Sequence, residues 1–567
     1  MKSLICTTLL VETSPQGLPL GAACIASAVK ADSRTNKKIS VELVDFSLEE
    51  QDICLARKNG GDDKVASLIA NRLSQNKPDF LAFSVYVWNR VILEKTCLEL
   101  KQILPECVCI AGGPEVTANP FSFNSFDFMI AGQGERAMVE LLEQLLCHPE
   151  SQKCEIQGVY ARDSSLSCDA RTEIIRACPL PPDVTVSPYL DGTLNPAKYG
   201  GALWELARGC PFKCSYCYES KGEKKIAYFP IERLEKEIEL FAKKNISQVF
   251  VLDPTYNASK ERAIKMLKII EKKAPGMFFY FEARAEFIDR ELARAFARIP
   301  CCLQIGLQSA NPDVLKNVNR TLEKKRFIKN IGFLNEEGVI FGFDLIYGLP
   351  GDNFNGFCES IDFALSLYPN NLELFCLSVL PGTDLHDAAK GFGLEWEQTP
   401  PYHVLKTPQF NEKDLARAEK LAQATNLFYT KGRAVAWFNP LLYVLREKPS
   451  VFLKKFADWL DEKLTHNLLS LTDMQIEEFQ LDFVRKSFHE KHLDRCYPAA
   501  EDLIKMHGAL GRCTYDGSES NFTTNYHPDD VMSEYGTDIE FFTENCGKQK
   551  CRVKVFLGKN GADWRVV

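Results

Sequence analysis

Three cysteines, Cys210, Cys214 and Cys217, stand in the run RGCPFKCSYCYES with three and then two residues between them. Thiolates at that spacing in a loop bind a metal ion or an iron–sulfur cluster. A cubane [4Fe–4S] cluster has four irons, so three cysteines leave one iron open. An open iron can take a small molecule through its amine and carboxylate, which a four-cysteine electron carrier cannot do. A closed zinc site is the competing reading. It needs a fourth ligand, usually a Cys or His paired with another, and neither occurs again until Cys301, so only a distant ligand would supply it.

The elements around the triplet place it at the end of a strand. The strand-like runs ALWELA (202–207), QVFVL (248–252), FFYFEA (278–283), CLQIGLQ (302–308), IFGFDLIYG (from 340) and LELFCLSV (372–379) alternate with amphipathic stretches such as 231–244 and 354–368. Six such units joined by right-handed crossovers predict a partial (β/α)6 barrel over 191–394. The triplet comes just after the first of them, at the strand end where barrels build active sites.

Residues 1–147 form an earlier series. SLICTTLL (3–10), VELVDF (41–46), DFLAFSVYV (79–87), CVCIAG (107–112) and DFMIA (127–131) are continuously apolar, as strands buried on both faces are. Met138, Leu141, Leu142 and Leu145 mark one face of a helix. The expectation is an α/β, Rossmann-like, doubly wound sheet. A proline-rich connector over 148–190 contains ACPLPPDVTVSP. Residues 395–567 read as a mostly helical extension of unknown role, with Phe452, Phe456, Trp459 and Leu460 on one face and a closing strand at 551–558.

Composition narrows the classes. At 567 residues the chain suggests roughly three to four domains. It is 45% hydrophobic and 25% charged, an ordinary globular balance, and a net charge of -8 argues against general affinity for nucleic acid or anionic lipid. The N-terminal run reads as a first strand rather than a secretion signal. No apolar stretch is long enough to span a membrane, so the expected location is cytoplasmic. The 21 cysteines are scattered, many in apolar runs, as in CVCIAGG and CCLQIG. That suits buried thiols in a reducing, anaerobic interior rather than a disulfide framework. Cys513, Cys546 and Cys551 read as packing residues, and His489, His492 and His527 as surface or satisfied core residues.

From the triplet onward, over about residues 200–385, the chain resembles the radical SAM superfamily. The resemblance implies that Tyr216 lies beside the adenine of S-adenosylmethionine. VFVLDPTYN stands where the family often has two glycines and a Glu, so Asp253, Pro254 and Thr255 would meet the methionyl amine. FEARAEFID nominates Glu282 for the ribose. GLQSANPDVLKNVNR nominates Gln308 and Arg320 as polar contacts, DLIYGLPG places Asp344 and Gly348 near the nucleoside, and LSVLPGTDL supplies Pro381, Gly382 and Thr383. The implied chemistry is one-electron cleavage of the sulfonium to a 5′-deoxyadenosyl radical, fed by a one-electron reductant such as flavodoxin or ferredoxin.

The N-terminal series resembles the cobalamin-binding domains that precede such barrels. The matching pieces are TSPQGLPLGAACIASAVK, SVYVWNR, AGGPEVTANP and AGQGERA. The likeness implies that Gly112, Gly113, Gly132 and Gly134 admit a bulky ligand and that Ser84 lies near the corrin's nucleotide tail. The first histidine is His148. This domain therefore supplies no His to cobalt, and the lower face would be open, water-bound or turned to Tyr86 or Trp88.

Together these imply a cobalamin-dependent radical SAM methyltransferase acting on an unactivated carbon. A radical SAM cyclase, ring-forming oxidase or rearrangement enzyme is the alternative, and an iron–sulfur redox or sensor protein is a third reading of another class. A methylthiotransferase would bring its own N-terminal cysteine pattern, which is absent. The substrate is not encoded in any motif.

Overall fold

A computed structural model describes residues 1–148, 155–162, 173–219, 225–463, 471–559 and 561–567. Part of the 148–190 connector therefore lies outside the described residues.

The first series is β1 (Lys2–Leu10), α1 (Leu20–Ala31), β2 (Ile39–Ser47), α2 (Gln51–Ser74), β3 (Phe80–Ser84), α3 (Arg90–Ile103), β4 (Val108–Gly112), α4 (Pro114–Ala118), β5 (Phe128–Ile130), α5 (Gly134–Cys147) and β6 (Val159–Ala161). The sheet order is β2-β1-β3-β4-β5-β6, parallel except for the last pair. The order reverses between β1 and β3, the position at which open α/β sheets bind ligands at their strand C-termini. The antiparallel β6 comes from the expected connector; three residues are too few to carry a period-2 signal.

The second series is β7 (Gly201–Trp204), β8 (Ala207–Arg208), β9 (Ala227–Tyr228), α6 (Ile231–Lys243), β10 (Gln248–Val251), α7 (Lys260–Lys273), β11 (Phe278–Ala283), α8 (Arg290–Phe296), β12 (Cys301–Gln308), α9 (Pro312–Asn317), α10 (Lys324–Glu336), β13 (Ile340–Tyr347), α11 (Phe354–Leu365) and β14 (Asn371–Cys376). Six parallel strands run β14-β13-β12-β11-β10-β7. One set of alternate side chains, Trp204, Val249, Phe279, Phe281, Phe341 and Phe343, packs into the core. The first strand stops at Trp204, short of the expected Ala207, because the N–H groups of Leu206 and Ala207 turn to the Asp253 carboxylate at 2.9 and 3.0 Å.

The remainder comprises α12 (Asp384–Ala388), the hairpin β15 (Glu395–Trp396) and β16 (Val404–Lys406), α13 (Glu412–Thr425), α14 (Phe438–Leu445), α15 (Pro449–Lys463), α16 (Asp473–Glu490), α17 (Tyr497–Asp516), β17 (Ser520–Thr524), α18 (Pro528–Val531), α19 (Ile539–Asn545), β18 (Cys551–Gly558) and β19 (Gly561–Val566). A π-helical turn over Asn426–Lys431 follows α13 and lies along the edge strand β14. Thr430 Oγ1 accepts from Leu372 N at 3.1 Å, and the Tyr429 hydroxyl donates to Pro369 O at 2.6 Å. Gln480 donates to the Phe428 and Gly432 carbonyls, which the widened turn exposes, at 2.7 and 3.0 Å. Behind it Phe428, Phe452, Phe456 and Phe483 pack edge to face, and Trp459 lies tilted against Phe483. Among the described residues no helix is long and apolar enough to cross a membrane.

Candidate functional site

The three cysteines lie in the loop between β8 and β9. Cys214 is buried, and Cys210 and Cys217 are half-buried. Burial raises the Cys210 thiol, which lies within hydrogen-bonding reach of the Phe212 N–H and the Thr255 hydroxyl and within electrostatic reach of Cys214. Tyr216 lies within electrostatic reach of both Cys214 and Cys217. Among the described residues, no three Cys, His, Asp or Glu side chains converge as the ligands of a single metal ion do.

Beside the loop stands a polar constellation built on β12. Arg320 Nη2 donates to Gly306 O at 2.6 Å, and its Nη1 donates to the Tyr216 hydroxyl at 3.2 Å. Gln308 takes a left-handed backbone, φ 67°, at a register shift between Gly306 and Gln308. Its Nε2 lies 2.5 Å from where a Cβ on Gly306 would be, and Arg320 Nη1 lies 3.3 Å from the same point. Gln308 Oε1 and Arg320 Nε are buried and without partners. Buried polar atoms without partners call for an explanation, and these two lie together on the β12 side of the cysteine loop.

The expected neighbours divide. Glu282 projects into the hollow of the sheet, open to solvent yet walled by protein; burial raises its carboxyl to about 7, with Asp344 and then Glu219 adding to it. Asp344, raised to about 6 by burial, accepts from Gln304 Nε2 at 2.5 Å. These two are brought together, and Glu373 on β14 and Glu219 after the triplet join them electrostatically. Asp253 is buried, is raised to about 7 by that burial, and accepts at Oδ1 from the Leu206 and Ala207 N–H groups at the β7 exit. Thr255 turns to Pro254 O, at 2.7 Å, and to Cys210. Gly348 has φ 84°, and a Cβ there would meet Val404 Cγ1 at 2.6 Å, so its freedom serves packing against the segment after the barrel. Thr383 caps α12, accepting from His386 N at 3.2 Å, and Gly382, next to Pro381 in sequence, abuts Ala118 of α4.

The strand C-termini of the first sheet face this site. Tyr86 and Trp88, after β3, stack with centroids 4.5 Å apart and planes 7° apart. Trp88 is 53% exposed. Tyr86 is half-buried, and desolvation of its ring and hydroxyl raises the hydroxyl to about 12; Cys24 and Glu205 beside it add to the rise. Its hydroxyl lies 2.8 Å from the Cβ position of Gly21, with Ser84 Oγ 3.9 Å from that point. Gly113, φ 107°, passes the Val85 carbonyl, and Gly132, φ 100°, passes Ala177, where a Cβ would come within 2.5 and 3.1 Å respectively. Gly112 lies beside Ile130 O, and Gly134 meets Ile25.

Sequence reasoning missed the residues that tie the first sheet to the rest of the chain. Arg208, two positions before Cys210, donates to Glu135 at 2.7 Å, Gln133 at 2.9 Å and Glu205 at 3.0 Å. The Tyr402 hydroxyl donates to Glu115 Oε2 at 2.7 Å, and Arg90 donates to the same carboxylate at 3.1 Å. Glu135 and Glu115 sit in AGQGERA and AGGPEVTANP, so the pieces that marked the first domain also anchor it, to β8 and to the β15–β16 hairpin.

A model of the Radical SAM superfamily matches residues 204–364, and one of the B12 binding domain matches residues 7–142. The 2-(S-pantetheinyl)-carbapenam-3-carboxylate methyltransferase of Streptantibioticus cattleyicolor is 28% identical over 387 residues, 62% of this chain and 54% of that protein. The cobalamin-dependent radical SAM methyltransferase TokK of Streptomyces tokunonensis is 29% identical over 350 residues, 55% of this chain and 49% of that protein. The chain spans about half the length of these curated relatives. Of solved structures, the cobalamin-dependent S-adenosylmethionine radical enzyme OxsB with aqua-cobalamin and S-adenosylmethionine bound aligns at TM-score 0.56 and 13% identity, over 96% of this chain and 83% of that one. That likeness establishes the fold. A radical SAM domain implies a [4Fe–4S] cluster and S-adenosylmethionine, and a B12 domain implies cobalamin. This chain joins a B12-binding domain to a radical SAM domain and continues into a largely helical C-terminal region.

Proposed function

We propose that the protein is a cobalamin-dependent radical SAM methyltransferase, in which Cys210, Cys214 and Cys217 hold a [4Fe–4S] cluster. The observation that carries this reading is the pair of buried, unpartnered polar atoms on Gln308 and Arg320 beside the cysteine loop. Both residues lie in the segment whose pattern resembles that of S-adenosylmethionine enzymes.

Bound there, the cofactors supply one-electron cleavage of a sulfonium and transfer of a methyl group. The chain's own residues position and shield. Tyr216 and Gln308 orient S-adenosylmethionine, with Arg320 fixing Tyr216 against Gly306. Asp253 holds the β7 exit from which the cysteine loop departs, and Thr255 steadies Cys210. Glu282 and Asp344 present carboxyls whose charge the hollow disfavours, and a cation entering between them restores it. The Tyr86–Trp88 stack at the switch point of the first sheet offers a flat aromatic face toward cobalamin, with Ser84 behind it near the nucleotide tail and Gly112, Gly113, Gly132 and Gly134 along the same edge. The Arg208 and Tyr402 anchors hold that edge over the barrel. The relatives named as methyltransferases support methyl transfer as the outcome. A cytosolic setting, a one-electron donor and the domain limits expected from the sequence belong to the same reading.

The test is anaerobic reconstitution followed by reduction and addition of S-adenosylmethionine. Formation of 5′-deoxyadenosine and S-adenosylhomocysteine, with cobalt retained, is the expected result. Deoxyadenosine without S-adenosylhomocysteine would reject methyl transfer, and absence of both would reject radical chemistry.

A further inference from the structure

The outer face of the cysteine loop opens onto a groove of different character from the rest of the surface. Phe212 lies between Cys210 and Cys214 in sequence, and its ring packs under the Arg284 guanidinium at 3.9 Å and against Phe287 at 5.8 Å. Phe287 is 38% exposed and lines a groove of about 650 Å³ whose charged residues are Lys260, Arg290, Arg326 and Lys329 against Glu286, Asp289 and Glu291.

The groove's acidic residues, Glu286, Asp289 and Glu291, are each paired within the chain. Lys260 pairs with Asp289 and Glu291 at 2.5 and 2.7 Å, and Arg284 pairs with Glu286 at 2.8 Å. Arg290 is matched by Glu336 at 2.5 Å and Glu337 at 3.7 Å. Arg326 reaches only the Glu286 carbonyl, at 2.9 Å, and Lys325 and Lys329 form no ion pair among the described residues. Their position is also unfavourable. Lys324, Lys325 and Arg326 occupy the first turn of α10, which holds no acidic residue, and Glu323 at the cap position makes no capping bond. Cations there oppose the helix dipole. Lys325, Arg326 and Lys329 thus stand as positive charges without an ion pair among the described residues, beside an exposed aromatic ring that touches Phe212 of the cysteine loop.

We propose that this face docks an acidic one-electron carrier protein. The proposal rests on the cluster reading above and deepens it. The carrier gives up one electron and the cluster gains one, with no bond made or broken in the exchange. An acidic partner over Lys325, Arg326 and Lys329 seats its redox centre against Phe287 and Phe212, one side chain from the cysteines. Attraction between opposite charges raises the encounter rate and makes it sensitive to salt.

The test uses the full-length, cluster-loaded chain with flavodoxin hydroquinone as the probe. The surface triple variant Lys325→Glu, Arg326→Glu, Lys329→Glu is compared with the parent. The expected result is a second-order reduction rate at least ~10-fold lower, a weaker salt dependence, and unchanged reduction by dithionite. Zero-length carbodiimide coupling, which needs no cluster, is expected to link flavodoxin carboxylates to Lys325 or Lys329. Parent-like rates with flavodoxin, or cross-links confined to another face, would overturn the proposal. A parent that neither donor can reduce would count against the cluster itself, and the cross-link map would still decide the docking face.

Discussion

Gln308 is folded back over Gly306, its amide filling the space that any β-carbon at position 306 would claim. The left-handed backbone of Gln308 produces this overlap, and Arg320 closes it by donating to the Gly306 carbonyl. A side chain at 306 therefore acts on the amide rather than on the strand.

Gly306→Ala should expel the Gln308 amide with little loss of stability, because the displaced group is the end of a flexible side chain. S-adenosylmethionine affinity is expected to fall at least ~10-fold, equivalent to about 1.4 kcal/mol. Equilibrium dialysis under anaerobic conditions measures this. Unchanged affinity would separate Gln308 from the cofactor.

Arg320 serves two partners at once, and a point charge cannot reproduce that fork. Arg320→Lys should lose either Tyr216 or the Gly306 carbonyl, and Arg320→Met both. A buried group left without its partner costs about 1–3 kcal/mol. The urea midpoint of the cluster-free protein should order as parent, Lys, Met; equal midpoints would show that the hydrogen bonds carry no net stability.

Asp253 gives a pH signature with a definite sign. Its carboxyl stands near 3.8 in the unfolded chain and about 7 in the folded one. Between those values the folded chain keeps a proton that the unfolded chain has released, so stability falls as pH rises through the window. The full contribution is about 4 kcal/mol at most, from 1.36 kcal/mol per pH unit. Asp253→Asn retains the acceptor for Leu206 and Ala207 and does not titrate, so its advantage over the parent should grow from pH 5 to pH 8. Parallel stability profiles for the two proteins would refute burial as the cause.

The contrast between legible and hidden features comes from range. The triplet could be read because thiol spacing within eight residues is local information, and both sheets because buried parallel strands are continuously apolar. Gln308 and Arg320 were legible as residue types in a recognisable order. Their dependence on Gly306 was not, since it arises from a register shift between neighbouring strands. Asp253 read as a ligand contact, whereas its Oδ1 is engaged by backbone 46 and 47 positions away. The Arg208–Glu135 and Tyr402–Glu115 links span 73 and 287 positions. No periodicity encodes a pair that meets only after two domains have formed.

Tyr402→Phe tests the second of these links. It leaves the buried Glu115 carboxylate with Arg90 alone, at 3.1 Å, and should cost about 1–2 kcal/mol for the lost hydroxyl. Faster amide exchange is expected across Pro114–Ala118, with β7 to β14 unaffected. Acceleration spread evenly over both sheets would mean that the residue stabilises the fold generally and does not act as an anchor.

Replacing Cys210, Cys214 and Cys217 by alanine together separates the two cofactors. Iron should fall from roughly four atoms per reconstituted chain to a background level, since the thiolates are the cluster's grip. Cobalamin uptake should persist, because the first sheet has hydrophobic cores of its own on both faces. Its Tyr86–Trp88 stack also owes nothing to the cysteines. Melting should change little, as two of the three side chains are only half-buried. Iron and cobalt analysis of the same sample reads both outcomes. Iron retained near four per chain would move the cluster elsewhere, and joint loss of iron and cobalt would mean that the cysteine loop organises the facing domain edge as well.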